Sequence, residues 1–152
     1  MGTDNTYYAV LSERAYYPDV IYIFAEEIYE NGLKKAVKGI EILSKEFGFR
    51  PEIKCEVIRE ADFVEAGLRI NSTIKSLKER DYTVAIDITP GRKALVAGAL
   101  LSAEKIGVDY VLYLAIKSLE NAAKPYKMIP LHIQKLKDFM EDVKAYRSGG
   151  DG

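Results

Sequence analysis

Thr89, Pro90, Gly91, Arg92 and Lys93 follow one another at the end of an apolar run, and a helical pattern of small and apolar residues begins directly behind them. The chemistry these types suit is anion binding. Gly91 lets the backbone come close to a ligand. A helix start offers unpaired N–H groups and the positive end of the macrodipole. Two cations there oppose the dipole, a local conflict that a bound phosphate would relieve. The competing reading is that both cations point to solvent and Thr89 caps the helix. The pattern is not a P-loop, which needs a longer glycine-rich loop ending in Gly-Lys-Ser/Thr, nor is it GxGxxG.

Other chemistry-bearing residues are scattered. His132 is the single histidine and follows Pro130, which suits a structural role better than a catalytic one. A metal-dependent nuclease wants clustered Asp, Glu or His. Asp87 and Asp109 are the candidates, but Asp87 sits at the end of an apolar strand, where holding the turn through backbone N–H groups is its expected role. Tyr7, Tyr8, Tyr16 and Tyr17 have faces on which adenine would stack, although packing in a core without tryptophan accounts for most of them. The single cysteine, Cys55, excludes an intrachain disulfide and a cysteine-based zinc site.

The elements that must position these residues alternate. "VIYIFA" (Val20–Ala25) reads as a buried strand. Leu33, Val37, Ile40, Leu43 and Phe47 recur at helical spacing, with Gly48 as the stop. "EIKCEVI" (Glu52–Ile58) is a second strand. A second amphipathic helix follows, with Val64, Leu68, Ile74 and Leu77 expected inward. "TVAIDI" (Thr83–Ile88) is a third strand. The helix from about Arg92 to Ile106, closed by Gly107, is apolar around most of its circumference, so both sides should be covered: one by the sheet, the other by a second subunit or by neighbouring helices. "DYVLYLAI" is a fourth strand. Lys117–Tyr126 reads as a loop at its end, placed either to close over a ligand or merely to connect. "YKMIPLH" is read as an edge strand, because Pro130 disfavours a central place. "IQKLKDFMEDVKAY" is read as a last helix, and residues 148–152 as a disordered tail. This order predicts an α/β fold, a mostly parallel sheet with helices on both faces, in a single domain over residues 1–147.

The whole chain sets limits. With 152 residues, 48% hydrophobic, 30% charged and a net charge of −1, it is globular in composition and has no global basic field. A DNA partner is not expected, and an anion must be held locally. No stretch reaches the ~18 apolar residues of a membrane span, and no signal peptide is visible. A reducing cytoplasm is the expected compartment. One glutamine beside many Lys, Glu and Tyr leans towards a thermophile.

The stretch "DITPGRKALVAGALLSAEKIGVDYVLYL" resembles the signature of CARF (CRISPR-associated Rossmann fold) domains, which carry Asp/Asn-x-Thr-x-Gly-x-Lys/Arg after the fourth strand and then a small-residue helix. Within that family it is most similar to stand-alone archaeal ring nucleases. "YPDVIYIFAEE" is similar to the family's second strand, and "EVIREADFVEA" to its third strand and the acidic turn after it. The likeness covers roughly residues 1–116. It departs at the start: Gly2 and Thr3 match the end of the family's first strand, while the strand itself is missing and Asp4 stands where ring nucleases often have serine. A Rossmann-like order would place that strand mid-sheet, and "TYYAVL" (Thr6–Leu11) is one candidate for its slot.

The resemblance implies a homodimer that binds a cyclic oligoadenylate, most closely cyclic tetra-adenylate, across its two-fold axis. It also implies a metal-independent reaction with no cofactor. A ribose 2′-OH attacks the adjacent phosphate in line and leaves a 2′,3′-cyclic phosphate end, which switches off type III CRISPR signalling. Lys93 would stabilise the added charge. Thr89, Pro90, Gly91 and Arg92 would cradle the phosphate, and Thr3, Asp4 and Asn5 would lie near the 2′-OH or adenine. An Asp beside phosphate puts fast cleavage in doubt. Two other readings are a non-catalytic sensor module and a Rossmann-like mononucleotide binder outside this defence system. Few residues follow Pro130, too few for a further effector domain, which favours the enzyme.

Overall fold

The structure is a computed structural model that describes residues 3–116 and 134–149. The loop Lys117–Tyr126, the expected edge strand Tyr126–His132 with His132 itself, and the side chains of Thr3 and Asp4 lie outside the described residues.

The first described element is a helix, α1 (Thr3–Arg14), so Thr6–Leu11 is not a strand. Asn5, Thr6, Tyr7, Ala9 and Leu11 are all buried. The helix is covered on two sides and shows no one-sided pattern, and in sequence this passes for a strand. Next come β1 (Val20–Glu26), a 3₁₀ turn (Glu27–Tyr29) and α2 (Glu30–Glu46). α2 ends as expected: Gly48 takes φ +84°, with Gly48 N–H donating to the Lys45 carbonyl and Phe49 N–H to that of Ser44. That double bond closes the helix, and the left-handed φ suits glycine.

β2 (Glu52–Ile58) runs parallel to β1, pairing Val20 with Glu52 through to Glu26 with Ile58. α3 spans Phe63–Glu79, and Asp62 caps it by accepting from Glu65 N–H at 2.8 Å. Ala66, Ile70 and Ile74 face inward, but Val64 and Leu68 are 65% and 66% exposed, against expectation. The helix is turned so that Gly67 meets α4, and the register of burial turns with it. A Cβ on Gly98 would stand 3.0 Å from the Gly67 backbone nitrogen, and Ser102 Oγ donates to the Gly67 carbonyl at 3.2 Å.

β3 (Ala85–Asp87) is parallel to β4 (Tyr110–Ile116), and α4 (Lys93–Ile106) lies between them in sequence. β5 (Gln134–Asp138) is antiparallel to β4 and is followed by α5 (Phe139–Gly149). The expected last helix, which opens at Ile133, is therefore a strand over Gln134–Asp138, and Ser148 and Gly149 belong to α5 rather than to a tail. Alternating burial across Lys135, Leu136, Lys137 and Asp138 marks the strand. Asp138 Oδ1 accepts from Met140 N–H at 3.0 Å and from Val111 N–H at 3.1 Å, ending the strand and starting the helix.

The strands form a two-stranded and a three-stranded sheet, in the orders β1-β2 and β3-β4-β5. Helices cover both faces. On one face Tyr7 and Leu11 pack with Ile40, Ile21, Ile23 and Ile53, while Ala9 packs with Leu112, Leu114 and Leu136. On the other, α3 and α4 gather Phe24 and Ile58 from one sheet and Val84, Ile86 and Val111 from the other into one cluster. The architecture is mixed α/β. Among the described residues, no helix is long and apolar enough to cross a membrane.

Candidate functional site

The carboxyl ends of β1, β2 and β3 meet at one edge. Arg92, just after β3, reaches Glu26 at the end of β1 (Nη1 to Oε2, 3.2 Å) and Glu60 just past β2 (Nη1 to Oε1, 3.1 Å). α1 runs against the strands: Tyr16, just beyond its carboxyl end, touches Tyr110 at the start of β4, and Ala9 packs on Leu112 and Leu114 further along. The Thr3–Asn5 end of α1 therefore lies towards the same edge of the fold as Lys93.

The turn after β3 is held from within. Asp87 Oδ1 accepts from Thr89 N–H at 2.9 Å, as expected for Asp87. Thr89 Oγ1 accepts from Leu114 N–H at 3.0 Å and so ties the turn to β4. Protein surrounds Asp87 on most sides, yet the residue keeps an exposed surface. Burial pushes its carboxyl up to about 6, against the opposing pull of the Thr89 amide and hydroxyl. A carboxyl that titrates near neutrality at a strand end is a feature of functional sites.

The five residues of the motif separate in role. Thr89 is engaged by the fold, so its hydroxyl is not a free phosphate ligand. A Cβ on Gly91 would come within 2.8 Å of Val96 Cγ2, so Val96 is a packing reason for glycine there. Pro90 is exposed in the turn. Arg92 is held by two carboxylates and lies over the Tyr29 ring at 6.0 Å. It neither points freely to solvent nor stands ready for an anion. Lys93 is exposed and makes no ion pair or hydrogen bond with another described residue. It opens α4, whose first turn has no side-chain cap. Arg92 is the N-cap, so the alternative of Thr89 capping the helix is also set aside. Asn5 is buried and partnered within the fold.

Sequence reasoning missed Glu26 and Glu60 as the clamp on Arg92. The available signal was a carboxylate at or just past each strand end, in "FAEE" and "VIREAD". Glu26 is 2% exposed and also accepts from Ala61 N–H at 2.9 Å. Asp109 is a structural pin, not a metal ligand: its Oδ2 takes Val84 N–H at 2.7 Å and Lys78 Nζ at 3.0 Å. Burial works to raise the Asp109 carboxyl, but those two partners outweigh it and hold the group below its ordinary value. Among the described residues, no three His, Cys, Asp or Glu side chains gather to hold a metal ion. Tyr7 packs in the core as expected and bonds Ser44 at 2.7 Å, and Tyr8 meets Phe47, while Tyr17 lies against Phe49 but is exposed.

Cavities lie elsewhere. One of about 550 Å³ runs between α2 and β2, beside Leu33, Val37, Cys55 and Val57. Another of about 340 Å³ lies at the amino end of β4. Lys93 lines neither of them. No family model matches this chain, and no curated protein matches it.

Proposed function

We propose that this protein binds a cyclic oligoadenylate, cyclic tetra-adenylate being the first to test, between two copies of itself, and cleaves it without a metal ion. The observation that carries this reading is Lys93: an exposed cation with no partner among the described residues, at the uncapped first turn of α4. The ribose 2′-OH attacks the neighbouring phosphorus, the P–O5′ bond breaks, and a 2′,3′-cyclic phosphate and a 5′-OH result. The proton lost by the 2′-OH matches the one gained at O5′. Lys93 and the amides of the α4 start stabilise the charge added to the phosphate. The Asp87–Thr89–Leu114 linkage holds the turn that presents them.

The dimer half of the proposal is supported by the outer side of α3 and α4. Val64 and Leu68 are 65% and 66% exposed, and Leu100 and Leu101 are 41% and 56% exposed. No described part of the same chain covers these side chains, which makes them suited to a two-fold contact.

One observation favours a second reading, a sensor that holds the ring intact. Arg92 is committed to Glu26 and Glu60, which leaves Lys93 as the one cation of the motif without a partner among the described residues. The test for both is chromatography of cyclic tetra-adenylate incubated with the protein in EDTA, with Lys93→Ala alongside. Linear products ending in cyclic phosphate, lost by about 10²-fold or more in the variant, support the enzyme. Intact ring co-eluting with the protein supports the sensor. Intact ring with no binding overturns both.

A further inference from the structure

β2 pairs with β1 and, among the described residues, with no other strand. Successive residues of a strand send their N–H and C=O to opposite sides. Glu52 N–H donates to the Asp19 carbonyl at 2.9 Å, so Glu52, Lys54, Glu56 and Ile58 turn theirs towards β1. Ile53, Cys55 and Val57 turn theirs outward. Cys55 is the middle residue of this seven-residue strand, and it is exposed.

The side chains sort by face. Ile53, Cys55 and Val57 lie on the α2 side. Ile53 packs against the cluster around Ile40, while Cys55 and Val57 line an open groove of about 550 Å³ with Leu33 and Val37. Lys54 and Glu56 lie on the other face, where Glu56 meets Arg69 of α3 at 2.8 Å.

The charges suit a second copy. A two-fold axis at the middle of an outer strand sets each residue before the middle opposite one after it in the second copy. At β2 this places Lys54 against Glu56 of the second copy, twice, and opposite charges across a strand pair attract. The same operation on β5 would set Lys135 against Lys137, like against like. Other centres on β2 serve less well. Centres at Lys54 or Glu56 place each against its own copy. A centre at Ile53 sets Pro51, which has no N–H to donate, at an outward position. A centre at Val57 leaves Glu56 facing Ile58.

We propose that β2 is a self-association edge: two copies of this chain pair their β2 strands antiparallel about a two-fold axis at Cys55, with Lys54 of each against Glu56 of the other. The outward N–H and C=O groups of Ile53, Cys55 and Val57 then bond across the axis, and the apolar face of each strand adjoins the groove of the other copy. This contact uses other residues than the outer side of α3 and α4, and it rests on no ligand.

Cys55 is the single cysteine, so a short bismaleimide, which joins two thiols, reads the contact directly. The parent protein is expected to give a covalent dimer. Lys54→Glu and Glu56→Lys should each lower its yield about ten-fold, because both symmetric pairs become repulsive. Combining the two substitutions in one chain should restore the yield. Restoration singles out the contact between copies. Within the chain Lys54 faces Glu52 and Glu56 faces Arg69, and the double variant turns both of those pairs repulsive. Thermal melts of the three variants check that each is folded. The proposal is overturned by absence of a dimer from the parent, by single variants that crosslink as the parent does, or by a double variant that crosslinks no better than the single ones.

Discussion

Glu26 Oε2 lies 3.2 Å from Arg92 Nη1, so the fully buried end of β1 is joined by charge to the residue that caps α4. The pair links the two sheets at the edge where Lys93 is presented. Glu60 joins from past β2. Of the two neighbouring cations in the motif, Arg92 holds the scaffold, while Lys93 has no partner among the described residues.

Removing Arg92 leaves Glu26 buried without its counter-charge. Arg92→Ala should cost about 2 kcal/mol, below the ~3–5 kcal/mol of a fully buried pair because Arg92 is half in solvent. Glu26→Gln in the Arg92→Ala background should recover part of that loss. Urea unfolding of the two single variants and the double variant measures it, and strictly additive losses would show that the pair is not coupled.

Asp87 supplies a pH dependence. Its carboxyl is raised from 3.8 to about 6 in the folded state, so between those values the native protein binds more protons than the unfolded chain. Stability from this group is full below about pH 4 and is lost as pH rises through about 6. Asp87→Asn keeps an oxygen for Thr89 N–H and has no charge to bury. Its advantage over the parent should be absent at pH 3.5 and grow to a plateau above pH 6.5, read from paired thermal melts. A difference that stays flat across that range rules this out.

Gly91 separates packing from ligand binding. Gly91→Ala drives a Cβ against Val96 Cγ2 and should destabilise the protein by about 1–2 kcal/mol. Adding Val96→Ala removes the clash. If the double variant regains the folding cooperativity of Val96→Ala alone yet still binds cyclic tetra-adenylate poorly, Gly91 also admits the ligand. If binding returns with packing, its role is packing only.

Gly98 is the closest approach of α4 to α3. Gly98→Ala places a Cβ 3.0 Å from backbone that cannot rotate away, and a loss of about 1–3 kcal/mol is expected. Chemical denaturation checks this, and a stability equal to the parent would mean that the helices part freely.

Leu101→Glu puts a charge on the outer side of α4, where the leucine is 56% exposed. A dimer built on that side should run as a monomer in size-exclusion chromatography with its melting temperature nearly unchanged. An unaltered elution volume would move the dimer contact elsewhere.

Much of this fold is legible in the sequence because its signals are local. The boundaries of β2 are those read from "EIKCEVI", and the end of α2 is fixed by Gly48. Asp87 as the holder of its own turn follows from side-chain reach alone. What escaped depends on tertiary placement. α1 is buried on two sides and shows no periodicity to read. The inward side of α3 is chosen by Gly67 meeting Gly98, a contact between residues far apart in the chain. β5 was absorbed into a helical pattern because its alternation is only five residues long. Arg92 looked like a ligand cation because its partners, Glu26 and Glu60, come from two other strand ends.

The alternation in β5 has a consequence for how this protein keeps to itself in a crowded cell. Lys135 and Lys137 stand exposed on either side of buried Leu136, along the outermost strand described in its sheet. Lysines on such an outer strand discourage a stray chain from adding to it and starting a growing stack. The run Val20–Ala25 in β1 carries no charge of its own. The lysines of β5 guard the outer rim of their own sheet, whereas the apolar run of β1 carries no such guard within it.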